Sequence, residues 1–128
     1  MNDCGCPNPF NCEHLFYRAR SWSRPIIKHG QLVEPYGYRV WHPENLILGN
    51  NVDIGTMSVI HAHYGVEIQD NVMIGPHCTI LSKSDIGEKF GKVTILKDSK
   101  IGAYSLIMPN SIVSGTVRAY SYVDGKNG

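Results

Sequence analysis

Aliphatic residues return every six positions from Leu48 onward: Leu48, Ile54 and Ile60, then Ile68, Ile74 and Ile80. No fixed face of an α-helix survives a six-residue period at 3.6 residues per turn, and a β-meander would need turn signals at wider spacing. Two positions before most of these aliphatics stands a small or medium side chain (Val52, Ser58, Val66, Val72, Cys78), which places both on one side of an extended strand. Glycine often follows the aliphatic, as at Gly49, Gly55, Gly75 and Gly102, and suits a corner where a Cβ would clash or φ must be positive. The period resumes with Ile95, Ile101, Ile107 and Val113, preceded by Val93, Ser99, Ser105 and Ser111. Strand, corner and strand in three six-residue faces make a triangular coil of about eighteen residues, and the chain holds roughly four such coils, stacked as a parallel β-helix.

A chain of 128 residues with a formal net charge of +1 is sized for one soluble domain with a modest core. Its apolar runs are far shorter than the roughly 20 residues of a spanning helix, and Met1–Cys12 lacks the apolar region of a secretory signal, so no membrane is expected and a cytoplasmic location follows. Four cysteines are few for a disulfide scaffold. Cys78 reads as core. Cys4, Cys6 and Cys12 stand with His14 ahead of any regular pattern, and three thiolates with one imidazole make a tetrahedral zinc set. A disulfide or a reactive unstructured end is the alternative reading.

Leu15, Phe16, Ala19 and Trp22 recur at helical spacing over Glu13–Arg24 with arginines between them and Pro25 at the end, which predicts a short amphipathic helix. In a nearly neutral protein with no nucleic-acid fingerprint those arginines read as solvated rather than as a nucleic-acid surface. Residues 1–37 thus form an N-terminal helical or irregular cap, 38–123 the β-helix and 124–128 a tail. Trp41 is placed over the open end of the core.

Two breaks interrupt the repeat, and breaks in a solenoid become loops on one side. One is a two-residue excess at His61-Ala62-His63-Tyr64-Gly65, the other the polar segment Ser82–Lys92 with Asp85 within it. Counting the excess, Ile60 and Ile80 lie one coil apart, so His61–His63 should run beside Leu81–Lys83 and bring two imidazoles near the Asp85 carboxylate. Alternation from Ile60 sends both histidines outward, with His63 nearer the corner. His77 reads as a solvated side chain.

Trp41-His42-Pro43-Glu44-Asn45 and Tyr64-Gly-Val-Glu-Ile-Gln-Asp-Asn-Val-Met-Ile-Gly-Pro76 resemble the hexapeptide-repeat acyltransferases, over about Tyr38–Val123. The resemblance implies a left-handed parallel β-helix, a homotrimer, and acetyl-CoA as co-substrate in a cleft between subunits. It also implies a small-molecule acceptor, a sugar or nucleotide sugar acylated on an amino or hydroxyl group, with neither nucleic acid nor membrane as partner. Relatives carry a histidine base shortly after an Ile-x-Thr-x-x segment, where this chain has Ile80-Leu-Ser-Lys-Ser84 and then Asp85. His63 or His61 is therefore the expected base, with Asp85 orienting it, and backbone amides at Gly102-Ala103 the expected hold on the acyl-CoA. A non-catalytic β-helix scaffold and, less favoured, a γ-carbonic-anhydrase-like zinc protein using His61, His63 and His77 are the alternatives.

Overall fold

The computed structural model describes residues 22–84 and 89–126. The first turn comprises β1 (Leu32–Val33), β2 (Tyr38–Trp41), the 3₁₀ turn Pro43–Asn45, β3 (Leu46–Leu48) and β4 (Asp53–Ile54). The second holds β5 (Val59–His61), β6 (Val66–Ile68) and β7 (Met73–Ile74), and the third β8 (Thr79–Leu81), β9 (Lys83–Ser84), β10 (Lys89–Phe90), β11 (Val93–Ile95) and β12 (Lys100–Ile101). Then come β13 (Leu106–Ile107), β14 (Ile112–Val113), β15 (Thr116–Val117) and β16 (Tyr122–Val123).

Strands one turn apart pair in parallel and build three faces: β2-β5-β8-β13-β16, β3-β6-β11-β14 and β4-β7-β12-β15. This is the expected parallel β-helix of about four turns. Ile60 lies between Val40 and Ile80, Ile68 between Leu48 and Ile95, and Ile74 between Ile54 and Ile101. These ladders of like aliphatics are buried and form one continuous core. At roughly 25 cal/mol per Å² of apolar surface removed from water, that core is the main favourable term.

At the position two before the aliphatic, Ser58, Cys78 and Ser105 also point inward, and each is buried. Ser58 Oγ donates to Gly75 O at 2.9 Å and accepts the Cys78 N–H at 3.0 Å, and Ser105 Oγ donates to Arg118 O at 3.1 Å. The hydroxyls thus bridge successive turns and satisfy polar groups that water cannot reach. Cys78 belongs to the same column, its Sγ 3.2 Å from Gly102 O, and burial pushes its thiol pKa up.

The corner glycines Gly49, Gly55, Gly75 and Gly102 serve close approach rather than positive φ. A methyl group on Gly75 would stand 2.7 Å from Ala103 N, and one on Gly49 2.8 Å from Asp70 N. Left-handed backbone falls instead three residues after the inward aliphatic, at Asn51, Met57, Asn71, His77, Asp98, Tyr104, Asn110 and Tyr120.

The undisturbed eighteen-residue turn occurs between Ile95 and Val113. Ile60 to Ile80 takes twenty residues and Ile80 to Ile107 twenty-seven, because the two expected breaks both open on the edge between the first and second faces. Ile101 to Val117 takes sixteen, since Ser114-Gly115 makes a shortened corner that the hexapeptide pattern does not announce.

Trp41 does not cover the open end. It follows inward Val40, so alternation turns its ring outward, where it stacks on His61 at 4.8 Å with 4° between planes. The open edge of β2 is covered instead by antiparallel β1, which buries Val33, so strand pairing crosses the expected cap boundary at residue 37. The helix expected over Glu13–Arg24 lies outside the described residues up to position 21, and Trp22–Arg24 carries no regular structure. Arg24 anchors this segment by donating to Leu48 O (2.7 Å), Gly49 O (3.1 Å) and Asn50 Oδ1 (2.8 Å). In the expected tail, Asp124 pairs with Lys89, and Lys126 bridges to Ile112.

Candidate functional site

The edge where the repeat breaks carries the densest chemistry among the described residues. His61 continues β5 in register with Trp41 below and Leu81 above, as counting the excess predicts. His63 lies 6.2 Å from His61, its ring nearly parallel at 7°. His42, left-handed at φ 62° ahead of the 3₁₀ turn, stands 4.1 Å from His63, and His29 stands edge-on to His42 at 4.7 Å. Four imidazoles from three elements therefore meet where two were expected. The signal for His42 was present, since it sits one twenty-residue turn before Ala62, whereas His29 is brought in only by the strap that pairs with β2.

Each ring has a distinct electrostatic setting. His42 Nδ1 lies 3.1 Å from Glu44 Oε2, and the Glu44 carboxyl is lowered by its own backbone hydrogen bond and then by His42. His63 is half-buried, its carbonyl accepts Asn45 Nδ2–H at 3.1 Å, and its Nδ1 is buried without a hydrogen-bond partner among the described residues. Its pKa falls below the ordinary 6.5, first through loss of water around the ring and then through the positive charge that His42, Lys83, His61 and His29 can carry. A ring held neutral at neutral pH, with Nδ1 turned inward, presents Nε2 as the nitrogen that can take a proton from a ligand.

Beside His63 opens a cleft of about 470 Å³ lined by Glu44, Asn45, Ile47, Tyr64 and Lys92 among others. Lys92 of this lining pairs with Glu67 at 2.9 Å. The segment Ser82–Lys92 is not a featureless polar loop. Its described ends form an antiparallel hairpin of β9 and β10 that sets Phe90 against Tyr64 at 5.1 Å, a pair the sequence reading missed. Gly91 N–H donates to Ser82 O (2.8 Å), Asn110 Nδ2–H to Phe90 O (2.9 Å) and Tyr64 N–H to Ser82 Oγ (2.9 Å), so both breaks are pinned to one another and to the next turn. Asp85 lies within this segment but outside the described residues.

Gly102 and Ala103 stand on a different edge, between the third and first faces. The Gly102 N–H is spent on Val117 O at 2.8 Å, while Ala103 O accepts the Tyr120 N–H at 2.9 Å. His77 shares that edge, stacked on Tyr104 at 4.8 Å, which stacks on Tyr120 at 5.2 Å. A full face of the prism separates His77 from His61 and His63, so the three do not meet within one chain. Among the described residues no group of three or more His, Cys, Asp or Glu has a metal-holding arrangement. Cys4, Cys6, Cys12 and His14 lie outside the described residues. No helix among the described residues is long and apolar enough to cross a membrane.

The chain matches no protein-family model, no curated protein and no solved structure.

Proposed function

We propose that this protein is an acyl-CoA-dependent acyltransferase of the hexapeptide-repeat type, moving an acetyl group from acetyl-CoA to an amino or hydroxyl group of a sugar, nucleotide sugar or similar small acceptor. The observation that carries the reading is the place of His63: a half-buried imidazole packed beside His42 and His61, its Nδ1 buried, at the edge of a cleft to which both interruptions of the repeat contribute. In this reading Nε2 takes the acceptor's proton as its nitrogen or oxygen attacks the thioester carbonyl. The C–S bond then breaks, the thiolate leaves and is protonated, and the acylated acceptor and free CoA result. His61, stacked between Trp41 and the His63 side, positions rather than reacts, and Asp85 would orient the base. Since the Gly102 amide is already bonded, Ala103 is the better of the two expected donors to the thioester oxygen.

His63 and Gly102-Ala103 occupy different edges of one prism, so a site containing both takes one edge from each of two neighbouring copies. That geometry supports a homotrimer, whose three-fold axis would repeat the shared cleft three times. Use of acetyl-CoA would place the protein in the cytoplasm, and the N-terminal cysteines with His14 would hold one structural zinc ion.

The exposed column His77, Tyr104 and Tyr120 favours a second reading, a non-catalytic scaffold that uses this edge for assembly. One experiment separates the two. Acetyl-CoA at about a hundred times its Kd should stabilise wild type and His63→Ala alike, by about 2.7 kcal/mol. The variant should lose about 10²–10⁴-fold in acyl transfer, the usual weight of a general base. Absence of stabilisation by acetyl-CoA would leave the scaffold reading, and an undiminished rate in His63→Ala would remove His63 as the base.

A further inference from the structure

We infer that His29 is an acid-labile latch: its neutral ring helps hold the turn at residues 28–31 of the N-terminal strap against the first turn of the β-helix, and its protonation loosens that turn. His29 Nδ1 accepts the backbone N–H of His42 at 2.9 Å. Only a neutral imidazole with its hydrogen on Nε2 can do this. Once protonated, the ring carries N–H at both nitrogens, and the latch becomes two donors facing each other. An acceptor turned into a donor against a fixed backbone N–H loses the hydrogen bond and meets like partial charge.

The surroundings oppose added positive charge. Along the cluster stand His42, His63 and His61, with Lys83 acting on His63 from β9. Arg39 on β2 donates to Gly30 O at 3.0 Å, directly beside His29. The carboxylate acting on His42 and His29 from this side is Glu44, already bound to His42. A proton on His29 would therefore add positive charge beside the other imidazoles, Arg39 and Lys83, with Glu44 the carboxylate on this side among the described residues. The pKa of His63 is lowered first by burial of its ring and only then by the same positive neighbours.

Other contacts of the strap do not titrate in this range. Gly30 N–H donates to Val40 O at 2.8 Å, Gln31 N–H to Lys28 O at 3.2 Å, and Arg24 to the corner at Leu48–Asn50. Release is thus local. With the His29 bond gone, the turn at His29–Gln31 is held by Gly30 N–H on Val40 O and Arg39 on Gly30 O and opens more often, while Arg24 remains a tether. The rim of the histidine cluster opens and the β-helix stays folded. This inference is independent of the proposed acyl transfer.

Amide hydrogen exchange, read residue by residue and corrected for intrinsic rates, tests it. Between about pH 7.5 and pH 5 the His42 and Gly30 amides should lose about tenfold or more in protection, while the Val59 and Thr79 amides inside the ladder keep theirs. His29→Asn sets Oδ1 where Nδ1 was, accepts at every pH and cannot be protonated, so its protection should persist in acid. His29→Ala should be unlatched at both pH values. The inference fails if wild-type protection at His42 does not change with pH, if His29→Asn loses it as wild type does, or if the ladder amides open in parallel.

Discussion

Gly75 shows how little room a residue has between two turns of this coil. Its φ is ordinary, but a methyl group there would come within 2.7 Å of Ala103 N and 3.0 Å of Ala103 Cα, both backbone atoms that cannot turn aside. Gly75→Ala should cost about 1–3 kcal/mol, the range for overpacking a filled interior. A chemical-denaturation midpoint unchanged from wild type would mean that the turns slide apart freely. The His63 ring is constrained by charge and burial rather than by space. Because its folded-state pKa lies below 6.5, the folded chain binds fewer protons than the unfolded one between that depressed value and 6.5. Its contribution therefore makes stability rise with pH through that window and fall as acid is added. If His63 is the base of the proposed acyl transfer, the same sign puts the acid limb of kcat/KM for a hydroxyl acceptor below pH 6.5. A limb centred above that value would assign the base to another group.

At the scale of the element, the hairpin β9–β10 is the least conventional part of the solenoid, since an antiparallel pair on the edge of a parallel coil must be fastened from outside. Asn110 does much of this. Its φ of 67° suits asparagine, and its side-chain amide donates to Phe90 O while packing against Gly91. Asn110→Gly keeps the backbone conformation at no steric cost and removes the clamp. Amide exchange at Gly91 should then accelerate several-fold, by the loss of about one hydrogen bond's 0.5–1.5 kcal/mol, with the ladders of β8 and β13 unaffected. Unaltered exchange at Gly91 would show that Lys89–Asp124 and the Gly91–Ser82 bond suffice. At the other corners the left-handed position is filled by Asn51, Asn71 and Asp98 on one edge but by Met57, His77, Tyr104 and Tyr120 on another. Asparagine and aspartate visit this region readily, whereas for bulkier residues it costs roughly 1–2 kcal/mol. Stacking of the rings at 4.8 and 5.2 Å offsets part of that.

For the whole molecule, the decisive quantity is the number of copies. If the cleft at His63 on one prism faces the Gly102-Ala103 edge of the next, light scattering at micromolar concentration should return three times the chain mass of 14.3 kDa. A monomer would dissolve the shared site and leave each edge to act alone. Parallel ladders along three faces also make unfolding propagate turn by turn, so association along an edge would add protection where a single prism has only solvent.

The six-residue period by itself determined the coil, its inward residues and its glycine corners, because it returns an aliphatic to the inside on each face and each turn repeats the same steric problem. It also placed His61 beside Leu81, since register in a solenoid follows from counting residues around one turn. Counting could have reached His42 as well. Only the tertiary structure decided that Trp41 faces His61 instead of the open end, that the last turn shortens at Ser114-Gly115, and that Phe90 meets Tyr64. His29 belongs with these: its place at the cluster depends on an antiparallel strand pair and a strap whose partners lie across the fold, and no local periodicity encodes contacts of that kind.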